Sequence, residues 1–338
     1  MATIYGSRAN QTIYGTSDFD TIWGDAITLL QEEIGGRDYL YGRGGNDNII
    51  GDARDLYGTG GIDRLYGDEG DEASSGGADT LYGDAIVMHR QSVGGRDSLF
   101  GEGGNDTLYG DAYEMRDYAA AGADWLFGGF GDDVLYGDAY IMSGWSTGIA
   151  GSVATIDDVI YGEAGNDILC GDARSMRDFA QGGHDDLEGD DGQDILIGDA
   201  YSMTGSSRGG GDTLDGGKGD DYLYGDAVSA TSGVVGGDDI LIGAQGNDHY
   251  WGGGGHDKFF FGFHPGIVDY GSNGKDVIHD FDLKKDEFII DRYATEFSQL
   301  NIYSDSSGNA VIEFSPTEFV TLLGVHAPEL TADHFYFW

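Results

Sequence analysis

Residues 110–136 read GDAYEMRDYAAAGADWLFGGFGDDVLY, and this stretch decides the fold. It divides into three nines: GDAYEMRDY, AAAGADWLF and GGFGDDVLY. Its opening Gly-Asp-Ala recurs with Gly at 24, 51, 83, 110, 137, 171, 198 and 225, and Gly252 begins the next unit. The spacings are 27, 32, 27, 27, 34, 27, 27 and 27. A fixed period of this size marks a chain that stacks similar units. The last nine is the most regular: GRGGNDNII at 42–50, GEGGNDTLY at 101–109, GEAGNDILC at 162–170, GGKGDDYLY at 216–224 and GAQGNDHYW at 243–251. Gly and Asp suit tight turns, and the apolar triplet after them suits a short strand.

Composition narrows the class further. The 338 residues carry 61 acidic and 17 basic side chains, a formal net charge of −44. Glu supplies 13 acids, so Asp supplies 61 − 13 = 48. Such a surface repels phosphate, which argues against nucleic acid as a partner. Three Pro beside 62 Gly exclude collagen, and the single Cys170 excludes a disulfide scaffold. No apolar run reaches the ~18 residues of a transmembrane segment. High charge and Gly suggest disorder, but 42 aromatic residues (5 Trp, 21 Tyr, 16 Phe) argue for a packed core. Cations that neutralise the carboxylates reconcile the two.

The nines resemble the repeats-in-toxin (RTX) motif G-G-x-G-x-D-x-U-x, where U is large and apolar. The resemblance covers about residues 4–261 and implies an all-β fold, a calcium-filled parallel β-roll. In that fold the GGxGxD half is a turn whose carbonyls and carboxylate ligate Ca²⁺. The U residue points inward and its neighbours outward. The implied metal ligands are the Asp at the sixth motif position: Asp47, Asp106, Asp133, Asp167, Asp194, Asp221, Asp248 and Asp257. A matching GGxDxLx adds Asp38, Asp97, Asp124, Asp185 and Asp239, with Asp63, Asp79, Asp158 and Asp212 in looser matches. The Asp of Gly-Asp-Ala (Asp25, Asp52, Asp84, Asp111, Asp138, Asp172, Asp199 and Asp226) are either further ligands or acceptors for turn amides. Gln11 replaces the first expected Asp, which puts an N-terminal site in doubt.

A plain roll has 18 residues per coil, whereas most coils here have 27. We read each as one compact nine plus an enlarged half of about 18 residues, giving about eight enlarged coils with the enlargements along one edge. The 34-residue unit places its extra residues within 139–157, and the 32-residue unit splits as 16 + 16 with an odd half at 67–82. Met88, Met115, Met142, Met176 and Met203 share one place in the enlargements, with Leu29 and Leu56 before them and Ala230 after. They form either an apolar ladder sealing a second core or a binding groove. Two aromatic columns follow the U position: Tyr41, Tyr82, Phe100, Phe127 and Tyr161, and Trp23, Tyr109, Tyr136, Tyr224 and Trp251. They are sheet-stabilising ladders or platforms for sugar rings. Cys170 takes a place in this pattern as surface filler.

The pattern divides the chain near 257. Residues 1–257 hold 56 Gly and 40 Asp and form the roll; residues 258–338 hold all three Pro and read as a small β-rich cap. Gly274–Phe281, Asp286–Ile290, Phe319–Gly324 and Leu330–Trp338 resemble the end of serralysin-type RTX proteins. That resemblance implies an uncleaved signal for type I secretion through an ABC transporter, and an extracellular or cell-surface location. No H-E-x-x-H or G-x-S-x-G is present, so no catalytic site is assigned. The expected role is a secreted calcium-binding protein that folds on Ca²⁺ outside the cell. Its work is structural or adhesive, on the cell surface or an exopolysaccharide. The alternatives are a host-directed or membrane-active effector, or a polysaccharide-modifying enzyme.

Overall fold

The computed structural model describes residues 1–68, 76–144, 158–262 and 274–338. Each 27-residue coil contributes three short strands. In one coil, Thr107–Tyr109 lies in a 14-stranded sheet (sheet one), Ala112–Asp117 in an eight-stranded side sheet, and Trp125–Phe130 in a 12-stranded sheet (sheet two). Val134–Tyr136 then returns to sheet one beside Thr107–Tyr109, in parallel and in register. All pairings of the repeat are parallel, so the fold is a parallel β-roll with a third, lateral sheet.

Alternation explains the core. In each triplet the central residue is inward and fully buried, as with Leu99, Leu108, Leu126 and Leu135. These residues form one continuous column between sheets one and two, from Ile13 and Ile22 to Phe259 and Phe288. The side sheet has its own core. Met88, Met115, Met142, Met176 and Met203 are fully buried with Leu29, Leu56 and the alanines of Gly-Asp-Ala. The methionine ladder therefore seals a second core and presents no groove; Ala230, the last in line, is exposed.

The enlargements follow one edge with one departure. In the 32-residue unit the extra length falls in the opposite turn, between Asp68 and Gly76. This shift corrects two sequence assignments. Tyr82 lies in sheet one and stacks on Tyr109 at 4.9 Å, while Tyr66 takes the place expected for it in the other column. Asp79 likewise joins the row of Asp47 and Asp106. Residues 69–75 of the odd half and 145–157, with the added length of the 34-residue unit, lie outside the described residues.

Beyond residue 257 the strands continue both sheets. Lys258–Phe261, Glu287–Ile290 and Phe335–Phe337 extend sheet two. Lys275–Ile278 extends sheet one and is followed by an antiparallel meander of Glu318–Leu322, Ala310–Ser315 and Asn301–Ser304. Phe288, Ile290, Ile312 and Leu322 are buried in the main core, with Phe314 packed against it. Short 3₁₀ turns at Phe297–Gln299, Ala327–Glu329 and Ala332–His334 link these strands.

Candidate metal centre

Two kinds of turn join the sheets. Where six residues suffice, as in Gly128–Asp133, the turn is plain. Its second residue takes a positive φ: Arg43 (85°), Glu102 (72°), Glu163 (70°), Asp190 (67°) and Ala244 (61°) among them. On the other edge the same turn is opened. Gly110 and Asp124 correspond to Gly128 and Asp133, but lie 14 residues apart in place of five. The side-sheet strand and its return arm are the nine inserted residues.

Both edges carry a carboxylate row. On the plain edge each Asp backbone N–H donates to the Oδ1 of the Asp one coil on: Asp47 to Asp79 (2.6 Å), Asp79 to Asp106 (2.8 Å), Asp106 to Asp133 (2.7 Å), Asp133 to Asp167 (2.8 Å) and Asp167 to Asp194 (2.8 Å). The row continues through Asp221 and Asp248. The opened edge repeats the scheme through Asp38, Asp63, Asp97, Asp124, Asp158, Asp185, Asp212, Asp239 and Asp257. All these side chains are almost wholly buried. The pattern leaves the second oxygen over. Oδ2 of Asp47, Asp79, Asp106, Asp133, Asp194, Asp221 and Asp248 in one row, and of Asp38, Asp63, Asp97, Asp124, Asp212 and Asp239 in the other, is buried without a hydrogen-bond partner.

Each such oxygen sits beside a glycine of its own turn and, except at Asp221 and Asp248, beside the carbonyl of the equivalent glycine one coil on. A Cβ on Gly101 would overlap Gly128 O and lie 2.5 Å from Asp106 Oδ2; on Gly110 it would overlap Gly137 O and Asp124 Oδ2. The side-chain-free position thus keeps open a cradle of oxygen atoms. Among the described residues no three His, Cys, Asp or Glu side chains gather into a metal cluster. The donors are instead one carboxylate oxygen per rung with backbone carbonyls, the hard-oxygen set that Ca²⁺ accepts and softer metals do not prefer. The cradle fits calcium.

Electrostatics demand a counter-charge there. Burial pushes the carboxyls up despite the amide bonds they accept: Asp47 to about 6, Asp79 to about 7, Asp106, Asp194 and Asp221 to about 8, and Asp248 to about 9. Neighbouring carboxylates push the same way. A row of desolvated like charges stays ionised at neutral pH only beside cations.

The Asp of Gly-Asp-Ala accept amides of the same turn, and Asp25 Oδ1, Asp52 Oδ1 and Asp199 Oδ2 stay buried without a hydrogen-bond partner. Asp25 accepts the N–H of Gly36 at 2.7 Å, Asp52 that of Gly61 at 2.6 Å, and Asp172 that of Gly183 at 2.7 Å. Asp84, Asp111, Asp199 and Asp226 do the same for Gly95, Gly122, Gly210 and Gly237. Each bond spans the mouth of an insertion. Asp138 is buried at the equivalent place, and its return arm lies outside the described residues. Asp68, at an insertion on the plain edge, also accepts the N–H of its returning glycine, Gly77, at 3.0 Å.

Three row members and one clamp escaped the sequence reading. Asp20 begins the plain-edge row by donating to Asp47, and Asp276 follows Asp248 in it. Asp286 ends the other row after Asp257, and Asp68 is the ninth clamp. GTSDFD at 15–20 and GSNGKD at 271–276 carried the spacing for the first two. Asp20 is also spared the general upward shift. Burial raises its pKa, but bonds from Thr16 N–H, Thr16 Oγ and Ala2 N–H outweigh it and hold the carboxyl low. Gln11 closes the other row: its Nε2 donates to Gly24 O at 3.1 Å, covering a carbonyl that lower rungs leave facing an orphaned Oδ2.

The outer faces hold aromatic ladders. Tyr14, Tyr41, Tyr66, Phe100, Phe127 and Tyr161 stack at 4.7–5.2 Å, with planes within 17°. Their faces are turned to one another, and Arg43 lies over the Tyr14 ring at 4.7 Å. The ladder therefore serves sheet cohesion and offers sugars no free ring face along its length. Cys170 is fully buried rather than a surface filler. The side-sheet segments lie over the outer face of sheet one, and Cys170 packs there with Tyr109, Tyr136 and Ile197.

No helix among the described residues is long and apolar enough to cross a membrane. No curated protein matches the chain. The profile of the RTX calcium-binding nonapeptide repeat matches nine stretches, at residues 5–26, 35–53, 55–78, 93–112, 118–139, 157–173, 179–200, 207–227 and 236–260. These stretches cover more than half the chain and include both edges of the roll, so the chain belongs to the RTX calcium-binding nonapeptide repeat family.

Proposed function

We propose that this is a secreted protein whose folding is driven by Ca²⁺ bound along both carboxylate rows, and whose work outside the cell is structural or adhesive. The observation that carries this reading is the run of buried, unpartnered Oδ2 atoms, most of them beside a glycine carbonyl of the next coil. Ca²⁺ supplies the positive charge that links adjacent coils. The row residues supply one carboxylate oxygen per rung, the turn glycines supply carbonyls and room, and the Asp of Gly-Asp-Ala keep the insertions closed at their base.

Metal binding and folding are then one equilibrium. Extracellular calcium modules bind with Kd of about 10⁻⁴–10⁻³ M, far above cytosolic levels. The chain would cross a type I secretion channel unfolded and fold outside. Family membership and the serralysin-like stretches 274–281 and 319–324 support that route.

The test is metal analysis of the purified protein together with circular dichroism before and after chelation. The expected result is several Ca²⁺ per chain and loss of the β signal when they are removed. A metal-free protein with full β structure would overturn the proposal.

A further inference from the structure

We infer that a groove along the opened edge of the first coils binds an acidic polysaccharide strand; this rests on the extracellular adhesive role proposed above and names its ligand. The groove has a volume of about 500 Å³, within the range of small-ligand sites. One wall is Ile34 and Thr59, bridged in parallel on the return arms. The other is the row Arg37, Ile62, Arg96 and Ala123, and the floor is the paired glycines between them. It runs along the roll axis, outside the carboxylate rows.

Its exposed lining differs in charge from the rest of the surface, while the floor amides rest on the buried carboxylates of Asp25, Asp52 and Asp84. A chain with 61 acids presents no Asp or Glu in this lining, yet places two guanidinium groups there. Neither Arg37 nor Arg96 ion-pairs with a carboxylate among the described residues, whereas Arg8, Arg54 and Arg116 do. One coil separates the two arginines, so they stand roughly 9–10 Å apart along the axis, with exposed Ile62 between them. An extended polyanion lying along the groove meets both.

The floor decides between a polysaccharide and an acidic peptide. A peptide strand adds to an exposed backbone through free N–H and C=O groups. Here the N–H groups are spent: Gly35, Gly60 and Gly94 donate to Thr59, Val93 and Ala120 carbonyls, and Gly36, Gly61 and Gly95 to Asp25, Asp52 and Asp84. Carbonyls keep a second lone pair for a hydroxyl donor, and the isoleucines offer apolar surface to a sugar ring. A membrane surface is too broad to enter a concave groove.

The test is calorimetric titration of the calcium-saturated protein with an oligogalacturonate, against a neutral glucan, poly-glutamate and anionic vesicles as comparators. Binding to the uronate alone is expected. It should weaken about tenfold or more in the double variant Arg37→Ala/Arg96→Ala, as expected when two charge-assisted contacts are lost, and similarly in Ile62→Glu. Calcium content and circular dichroism of these exposed-site variants should match the parent. Unchanged affinity in both variants, which would mean calcium bridging, overturns the inference; so does equal binding of glucan, poly-glutamate or vesicles. Failure of the calcium reading appears separately, as a metal-free parent.

Discussion

Asp111 receives the Gly122 N–H on both carboxylate oxygens, at 2.9 and 3.2 Å, and so ties together the two ends of an excursion that would otherwise open the turn. The relationship recurs at the inserted turns whose returning glycine is described, on either edge, and Asp68 with Gly77 shows that it follows the insertion rather than the edge. Asp190, in a plain turn, has no excursion to close and takes a positive φ. A buried glycine amide needs an acceptor, and a carboxylate at the second position reaches it once the intervening chain has left the turn.

Removing the acceptor should therefore cost more than removing the charge. Asp111→Ala leaves the Gly122 amide buried and unpaired, a loss of about 1–3 kcal/mol. Asp111→Asn keeps an acceptor oxygen and should stay close to the parent. Denaturant unfolding in saturating calcium separates the two.

Gly101 has no positive φ, so Gly101→Ala introduces no backbone strain there. Its Cβ instead occupies the cradle between Gly128 O and Asp106 Oδ2. The expected outcome is a calcium count lower by one, with the remaining coils folded. Calcium titration followed by circular dichroism reads both.

Gln11→Asp should do the reverse. It replaces the amide that covers Gly24 O with a carboxylate in line with Asp38. One additional Ca²⁺ is expected, with a higher midpoint of thermal unfolding at saturating metal. An unchanged count would show that the terminal rung lacks ligands from a preceding coil.

Without calcium, pH should govern compactness, and the sign is set by the direction of the shifts. The row carboxyls have folded pKa values raised to about 6–9 against about 3.9 when unfolded. Their contribution to stability is fully present below pH ~4 and is lost as pH rises through those folded values. The chelated protein should be most compact near pH 4 and expand toward pH 9. Calcium should abolish that expansion. A chelated protein that gains structure with rising pH would contradict the assignment; dichroism and light scattering across the range decide it.

Cys170 gives a chemical report of the same transition. Burial pushes its thiol up to about 12, and it is fully enclosed. A thiol reagent should leave it untouched in calcium and modify it rapidly after chelation.

The period of 27, the inward leucines and most of the aspartate rows were legible in the chain because each depends on local geometry. A tight turn needs Gly and Asp at fixed offsets, and a strand alternates its side chains. Residue spacing placed Asp106 and Asp124 in the repeat, and the resemblance it carries implied their role as ligands. What the chain left open were matters of which segments meet. Whether the Asp of Gly-Asp-Ala reaches an amide depends on where the return arm places the glycine, as Gly122 for Asp111. The column Tyr82 joins depends on which edge absorbs the extra length before it. The burial of Cys170 depends on a side sheet crossing the outer face of sheet one. Each is a contact between residues many positions apart, fixed by the stacking of whole coils, and only the tertiary structure decides it.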